Sequence, residues 1–212
     1  MAEDTLKEEL KKALEELRKT EERKFNQTVD LIINLQKFNA KKESVNIFVN
    51  IPHKIKDKKI AGFLEIKKPK IEAITESEFK KYSDKKILKN LIKNFDFFIG
   101  QASLMPKVAA TFGRVLGPAG KMPSPQLGII ADASDKTIDS LKERINKSIR
   151  LRTKDASLKV AIGKQSMKNE EIIENIMAVY NAAVKALTKG KDNVRNIEIK
   201  FTMTKPIKIK LK

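Results

Sequence analysis

Both ends of the chain combine a helical pattern with alternating strand patterns. Residues 5–19 place leucines three or four positions apart, which predicts an amphipathic helix. Residues 29–35 and 45–51 then alternate apolar with polar side chains, as strands with one buried face do. The polar link 39–44 between them is short, which predicts that these two strands pair in an antiparallel arrangement.

The middle of the chain changes to short unbroken apolar runs separated by helical patterns. Such runs are typical of strands buried on both faces, and their alternation with helices predicts an α/β sheet covered on both sides. The runs lie at residues 60–66, 71–74, 95–100 and 129–131. The helical patterns lie at residues 86–93 and 103–112, and a third carries Ile138, Leu141, Ile145 and Ile149.

The last part of the chain returns to the pattern of the first. Residues 158–162 and 197–203 read as strands on either side of a long helical stripe at 169–187, which Gly190 ends. Neither end of the chain has enough elements to close a hydrophobic core alone. The two ends are therefore expected to fold together.

The expected fold is a mixture of α+β and α/β in two domains. Residues 1–54 and 154–212 form a split α+β domain, and residues 55–153 are inserted as a three-layer α/β/α (Rossmann-like) domain. The chain crosses between the domains twice, which makes the junction a natural hinge.

Charge indicates an anionic partner. Lys and Arg outnumber Asp and Glu 45 to 27 in 212 residues, which gives a net charge of +18 and a pI near 9.9. A surplus of that size raises the self-repulsion of the compact state, so nucleic acid or an anionic membrane is the expected partner. The alternative is a highly charged surface of the kind found in thermophiles, with no partner implied.

Composition also excludes several kinds of site. The chain has no cysteine, so disulfides, thiolate metal sites and cysteine nucleophiles are excluded, and a lone His53 excludes histidine triads. No apolar run approaches the roughly 20 residues that cross a bilayer. The N-terminal residues resemble neither a signal nor a transit peptide, which predicts a cytoplasmic protein.

Residues 113–125 read Gly-Arg-Val-Leu-Gly-Pro-Ala-Gly-Lys-Met-Pro-Ser-Pro, which predicts a loop. Gly-rich loops that end in Gly-Lys bind phosphates, so a nucleotide site has to be considered. A Walker loop needs a glycine five positions before its Gly-Lys pair and a hydroxyl residue after it, whereas Val115 and Met122 occupy those positions. The alternative is a rigid surface loop with no ligand.

The same segment resembles the G-R-[IV]-L-G-P-x-G-x-[ML]-P-x-P signature of the large-subunit ribosomal protein L-one family, in its archaeal type. Three further blocks agree with motifs of that family in order and spacing: Lys24 to Asp30, Ile51 to His53, and Gly163 to Met167. Together the four blocks span the chain nearly end to end.

The resemblance implies two domains in the split arrangement described above, with a terminal domain that binds large-subunit ribosomal RNA. It implies a place in the mobile stalk that assists release of deacylated tRNA from the exit site, with transient tRNA contact. It also implies repression of translation through the protein's own messenger RNA. The protein is expected to be cytoplasmic and ribosome-bound, monomeric when free, without cofactor or membrane partner.

Carried over by motif, nine residues are expected to face RNA: Lys24, Phe25, Thr28, Gly163, Lys164, Ser166, Asn196, Thr202 and Met203. The lysines suit phosphates, and the hydroxyl and amide side chains suit ribose 2′-hydroxyls. Phe25 and Met203 can lie against a sugar or a base. The structural alternatives are core positions for Phe25 and Met203, and a turn with positive φ for Gly163.

The chain departs from the family pattern in two places. The usual T-M-G-P is replaced by residues 202–206, Thr-Met-Thr-Lys-Pro, in which the glycine is absent and one residue is added. The glycines that commonly follow L-P-H are replaced by Lys54, Ile55 and Lys56, which predicts a stiffer hinge. Residues 207–212 alternate apolar with basic side chains, as either a phosphate track or a lysine-protected edge strand does.

An enzyme is the alternative from another functional class. It would bind a phosphorylated ligand at residues 113–125, but that segment offers only Arg114 and Lys121 for acid–base chemistry. With no histidine and no carboxylate pair nearby, the sequence favours RNA binding without catalysis.

Overall fold

The structure, a computed structural model, describes residues 2–20, 23–39, 43–153 and 155–209, with the backbone alone described at residues 2–4, 83 and 85. Within these ranges the fold is a mixture of α-helices and three β-sheets. In chain order the elements are α1 (Ala2–Arg18), β1 (Thr28–Leu35), β2 (Asn46–Asn50), β3 (Ile60–Phe63), β4 (Glu72–Ile74), α2 (Lys85–Asn94), β5 (Phe97–Gln101), α3 (Met105–Ala119), β6 (Ile129–Ile130), α4 (Asp135–Asn146), β7 (Ser148–Arg152), β8 (Ser157–Lys164), α5 (Asn169–Ala186), β9 (Val194–Phe201) and β10 (Ile207–Ile209). Short 3₁₀ helices at Glu76–Ser83, Ala102–Leu104 and Gly190–Asn193 complete the order.

The chain divides into two compact units. Unit 1 comprises Met1–Ile55 and Lys147–Lys212, and unit 2 comprises Lys56–Asn146. The chain therefore returns to unit 1 after Asn146, whereas the boundary predicted from the sequence lies between residues 153 and 154. The reason is that β7 pairs with β2 and so belongs to unit 1. Residue 154 itself is outside the described residues.

Unit 1 contains a four-stranded antiparallel sheet in the order β10-β9-β1-β8. Val29, Leu31 and Ile33 of β1 are fully buried, and the residues between them are half-buried on the opposite face. This period of two places the inner face of the sheet against α1 and α5, whose apolar side chains share one core with it. The alternation predicted for residues 29–35 is confirmed, and that predicted for residues 197–203 holds as far as Phe201, where β9 ends.

Two predictions about β2 and β7 are wrong. β2 does not pair with β1, because β8 and β9 occupy both edges of β1, and β2 pairs antiparallel with β7 instead. The helical stripe predicted to reach Ile149 ends earlier, since α4 stops at Asn146 and Ile149 is paired with Val49 in the β2–β7 ladder. Strand pairing distant in sequence overrides the local helical spacing here.

Unit 2 contains a four-stranded parallel sheet in the order β4-β3-β5-β6. All four residues of β3 are buried, as its unbroken apolar run predicts. The core of unit 2 is aromatic, because Phe63 packs against Phe79, Phe98 and Phe112 with ring centroids 4.9 to 6.0 Å apart. Parallel strands alternating with helices confirm the α/β character predicted for the middle of the chain.

The segment 113–125 is only partly the predicted loop, because α3 continues to Ala119 and ends at Gly120, which has a φ of 70°. The ammonium group of Lys121 then donates to the carbonyl oxygens of Ile92 (2.6 Å) and Phe95 (2.7 Å), at the C-terminal end of α2. A lysine in that position caps a helix end. The Gly-Lys pair therefore serves the fold and does not form a phosphate loop.

Candidate nucleic-acid interface

Three strands of unit 1 bring several of the expected RNA-facing residues to one end of the sheet. β1 begins at Thr28, whereas β8 ends at Lys164 and β9 ends at Phe201. In the antiparallel register Thr28 lies opposite Lys164, and Val29 lies opposite Phe201. Residues 24–28, 163–166 and 202–203 therefore meet although they are far apart in sequence.

Thr28, Lys164 and Thr202 are joined by hydrogen bonds. The backbone N–H of Thr28 donates to Oγ1 of Thr202 at 3.0 Å, and the Lys164 ammonium donates to Oγ1 of Thr28 at 2.8 Å. Thr202 is exposed, and the other two are half-buried. The bond from Lys164 leaves the proton of the Thr28 hydroxyl unused, whereas the Thr202 hydroxyl also donates to the Thr28 carbonyl oxygen at 3.4 Å. The group can offer one cation and two hydroxyls to a ribose-phosphate backbone.

Phe25 and Met203 are exposed beside these groups. Phe25 is 51% exposed and Met203 is 62% exposed, so the alternative of core positions is wrong. They are two of the four large hydrophobic side chains that are exposed among the described residues. Exposed apolar side chains that neighbour cationic and hydroxyl groups suit contact with a sugar or base face. Lys24, the other residue of this entry segment, is also exposed.

Ser166 and Gly163 shape the turn that follows β8. Nδ2 of Asn26 donates to Oγ of Ser166 at 2.9 Å, and the Ser166 N–H donates to Oδ1 of Asn26 at 3.2 Å. Gly163 does not have a positive φ, which overturns the alternative proposed for it. A Cβ at Gly163 would instead lie 3.1 Å from Cγ1 of Ile172, so glycine permits β8 to pack closely on α5.

Sequence reasoning missed two residues that hold this turn in place. Arg18, at the end of α1, donates to the carbonyl oxygens of Gln165 (3.0 Å) and Met167 (2.6 Å) and to Oδ1 of Asn169 (2.7 Å). Gln27 is 1% exposed, and its Oε1 accepts the Met203 N–H at 3.1 Å. Arg18 gives no signal in the sequence because a basic residue at a helix end is common, whereas Gln27 lies inside the matched block 24–30.

Asn196 lies away from the other eight residues. It pairs with Asn34 at the opposite end of β1, where Nδ2 of Asn34 donates to its Oδ1 at 2.7 Å. Asn196 and Thr202 are six positions apart along extended backbone, which corresponds to roughly 20 Å. The structure therefore assembles eight of the nine predicted residues and leaves Asn196 at the far end of the sheet.

The open face of the unit 1 sheet carries more cations than anions. Its outward positions include four lysines and two carboxylates: Lys159, Lys164, Lys200, Lys208, Asp30 and Glu198. Partial burial raises the pKa of Asp30, and the charges of Lys200 and Lys164 oppose that rise. The same basic face connects the two ends of β1 and favours a phosphate backbone.

The departure at residues 202–206 forms a turn without glycine. Oγ1 of Thr204 accepts the Phe201 N–H at 2.9 Å, and the Thr204 N–H donates to the Phe201 carbonyl at 3.1 Å. None of residues 202–204 has a positive φ. The hydroxyl of Thr204 thus stabilises the turn by a route that needs no left-handed residue. β10 follows as the edge strand, and residues 210–212 of the predicted basic strand lie outside the described residues.

Neither a metal site nor a membrane span is present in the part of the chain that the structure describes. No group of three His, Cys, Asp or Glu side chains there could hold a metal ion. Within the same described ranges, no helix is long and apolar enough to cross a membrane.

Comparisons with known proteins agree with this geometry. The model of the ribosomal protein L1p/L10e family matches residues 17–205. The large ribosomal subunit protein uL1 of Pyrobaculum islandicum is 32% identical over 209 residues, which cover 93% of this chain and 91% of that protein. The same protein of Methanothermococcus thermolithotrophicus is 31% identical, with 96% and 98% covered, and that of Nanoarchaeum equitans is 31% identical, with 91% and 95% covered. The resemblance drawn from the motifs is confirmed: the chain belongs to the ribosomal protein L1p/L10e family and is not an enzyme.

Proposed function

We propose that the chain binds large-subunit ribosomal RNA through the end of the unit 1 sheet. We call this the strand-end surface, comprising Lys24, Phe25, Thr28, Gly163, Lys164, Ser166, Thr202 and Met203. The observation that carries the proposal is the hydrogen-bonded group of Thr28, Lys164 and Thr202, flanked by two exposed apolar side chains. Cations, hydroxyls and apolar groups together match the phosphate, the ribose and the base of one RNA strand.

The lysines and the hydroxyl groups of this surface have different roles: the lysines provide affinity, and the hydroxyls distinguish RNA from DNA. Lys24 and Lys164 neutralise phosphates and release counterions, which gives affinity that depends on salt. The hydroxyls of Thr28, Thr202 and Ser166 exchange hydrogen bonds with 2′-hydroxyl groups, which DNA lacks. Because Phe25 and Met203 exclude water from these hydrogen bonds, each bond gains strength. No step of bond making or breaking is required.

The proposed role in the cell follows from the family. As a ribosomal protein the chain is cytoplasmic and ribosome-bound, and its large-subunit relatives place it in that subunit. We propose that it forms the mobile stalk that assists release of deacylated tRNA, with unit 1 as a split RNA-binding domain and unit 2 as an inserted domain. The same surface would bind a similar structure in the protein's own messenger RNA and so repress its translation.

Crosslinking tests this proposal. The purified protein is crosslinked to total cellular RNA, and the bound fragments are sequenced. Fragments from one region of large-subunit ribosomal RNA, together with fragments of the protein's own messenger, are the expected result. Fragments drawn evenly from all cellular RNA would contradict specific binding, and a lack of messenger fragments would remove the repressor role alone.

A further inference from the structure

A cavity of about 390 Å³ opens beside the strand-end surface. It lies between the C-terminal end of α1 and the turn that joins β9 to β10, and Met203 and Gln27 line it. Its volume lies within the range of about 300 to 1,000 Å³ that is usual for small-ligand sites. The cavity therefore adjoins the proposed RNA contact and is large enough for more than a few waters.

Gln27 is a buried side chain with an unused donor. Only 1% of it is exposed, and its Oε1 accepts the N–H of Met203. That bond fixes the orientation of the amide, because an N–H can donate only to the oxygen, and the NH₂ group is therefore the other atom. Within the described residues Nε2 of Gln27 has no hydrogen-bond partner, although Gln27 lines the cavity. This donor reaches the surface of the cavity, where it is available to an acceptor group of a ligand.

The remaining walls suit a flat group with apolar faces and a polar edge. Leu17 and Ile207 give apolar surface at the floor, and the exposed side chain of Met203 gives more at the entrance. Arg23 and Lys205 add positive charge at the rim, and Glu16 adds a carboxylate. Unpaired nucleobases combine apolar faces with a polar edge and carry a phosphate on each side.

Two residues of the altered turn, Thr204 and Lys205, also line the cavity. The cavity is thus built partly by the segment in which this chain departs from the usual T-M-G-P motif. Residues 202–206 are one residue longer than that motif, and Lys205 within them supplies a cation at the rim of the cavity.

We propose that this cavity, the Gln27 pocket, takes one unpaired nucleobase of the RNA bound at the strand-end surface. Nε2 of Gln27 donates to a carbonyl or ring-nitrogen acceptor of the base, Leu17 and Met203 contact its faces, and Arg23 and Lys205 contact the adjoining phosphates. Glu16 can accept from an amino or ring N–H group on the base. This inference rests on the proposed function, since the base must belong to an RNA already held by Thr28, Lys164 and Thr202.

The test is the substitution Gln27→Glu in the full chain. Glutamate has the same shape and keeps an oxygen for the Met203 N–H, but it replaces the donor NH₂ with an acceptor. Gln36→Glu is the matched control, because it makes the same charge change beyond the opposite end of β1, where Gln36 donates to the carbonyl of Asp192. The dissociation constant for large-subunit ribosomal RNA is expected to rise about tenfold for Gln27→Glu and to change less than about twofold for Gln36→Glu.

Chemical probing of the RNA distinguishes a base contact from a general loss of affinity. In the wild-type complex one unpaired base should be protected from base-specific reagents, and it should lose that protection with Gln27→Glu while neighbouring riboses stay protected. Thr20→Phe, which places a ring at the cavity, should give the same loss if Gln27→Glu does not fold.

The outcomes separate the two proposals. If the wild-type chain does not bind large-subunit ribosomal RNA, the proposed function falls and the pocket falls with it. If Lys164→Ala weakens binding while Gln27→Glu and Thr20→Phe leave both affinity and base protection unchanged, the pocket alone is overturned.

Discussion

At the scale of single residues, the strand-end surface is defined by a few hydroxyl and ammonium groups that no local pattern would bring together. Thr28 and Thr202 are 174 positions apart, and yet the N–H of one donates to the hydroxyl of the other. Removal of a single hydroxyl should therefore produce a measurable loss of RNA affinity.

Thr202→Ala should weaken binding of large-subunit ribosomal RNA by about 1 to 3 kcal/mol, because the alanine leaves a ribose partner and the Thr28 N–H without an acceptor. Thr202→Ser keeps the hydroxyl and serves as the control, with little expected change. Filter-binding titrations at several salt concentrations give both the affinity and its salt slope, and the slope should stay the same. Normal affinity of a folded Thr202→Ala protein would remove Thr202 from the surface.

Lys24→Ala, unlike Thr202→Ala, should change the salt dependence of RNA binding. Its side chain is exposed, so its expected contribution is one phosphate contact, and the slope of log K against log salt should fall in magnitude by about one unit. Lys191→Ala replaces an exposed lysine that precedes β9, at the opposite end of the sheet, and should leave the slope unchanged. Equal effects of the two substitutions would indicate binding through general charge.

Lys58 in unit 2 predicts a pH dependence of stability that is separate from RNA binding. Burial lowers the pKa of Lys58 from 10.5 to about 8, and although Asp96 opposes that shift, Lys56 adds to it. The unfolded chain therefore binds more protons between these two values, so the free energy of unfolding should rise as pH increases from about 8 to 10.5. Urea unfolding across this range measures the rise, and Lys58→Met should remove it.

At the scale of elements, periodicity predicted the strands well and their partners badly. The alternation in β1 and β9 identified which side chains form the core, because one face of that sheet is buried. β7 was missed, since its five residues continue the apolar spacing of α4 and its partner β2 lies about a hundred positions away. Gln27 was missed for a related reason. A polar residue next to an alternating strand is predicted to be exposed, whereas the turn that contains Met203, distant in sequence, buries this one.

Two glycines with opposite surroundings give a matched prediction. A Cβ at Gly163 would meet Ile172 at 3.1 Å, so Gly163→Ala should lower the free energy of unfolding by about 1 to 3 kcal/mol. Gly113 lies within α3 with nothing within 4 Å of its absent Cβ, so Gly113→Ala should raise the free energy of unfolding by about 0.5 to 1 kcal/mol. Urea unfolding compares the two, and effects of the same sign would contradict the assignment of Gly163 to close packing.

At the scale of the whole molecule, the charge of +18 is consistent with an RNA partner but does not locate the contact. With four to six phosphate contacts, log K for large-subunit ribosomal RNA should fall linearly with log salt with a slope of about −3 to −5. A flat response would mean that phosphates do not contribute to binding.

The sequence predicted a split chain, and the structure shows how unit 1 could be closed without unit 2. Asn50 pairs with Ser148, and the Ile51 N–H donates to the Lys147 carbonyl at 2.7 Å, so both crossings leave unit 1 from neighbouring positions. Joining residue 55 to residue 147 through a short Gly-Ser linker should therefore cost little loop entropy. The joined chain keeps β7, which β2 requires as its partner.

The location of the RNA site is tested by a titration of large-subunit ribosomal RNA with this joined chain and, separately, with residues 56–146. Circular dichroism first establishes that each piece folds. The strand-end surface lies wholly in the joined chain, which is therefore predicted to keep most of the affinity of the full protein, whereas residues 56–146 should bind poorly despite their own lysines. Tight binding by residues 56–146, with weak binding by the folded joined chain, would contradict the location of the RNA site proposed for this protein.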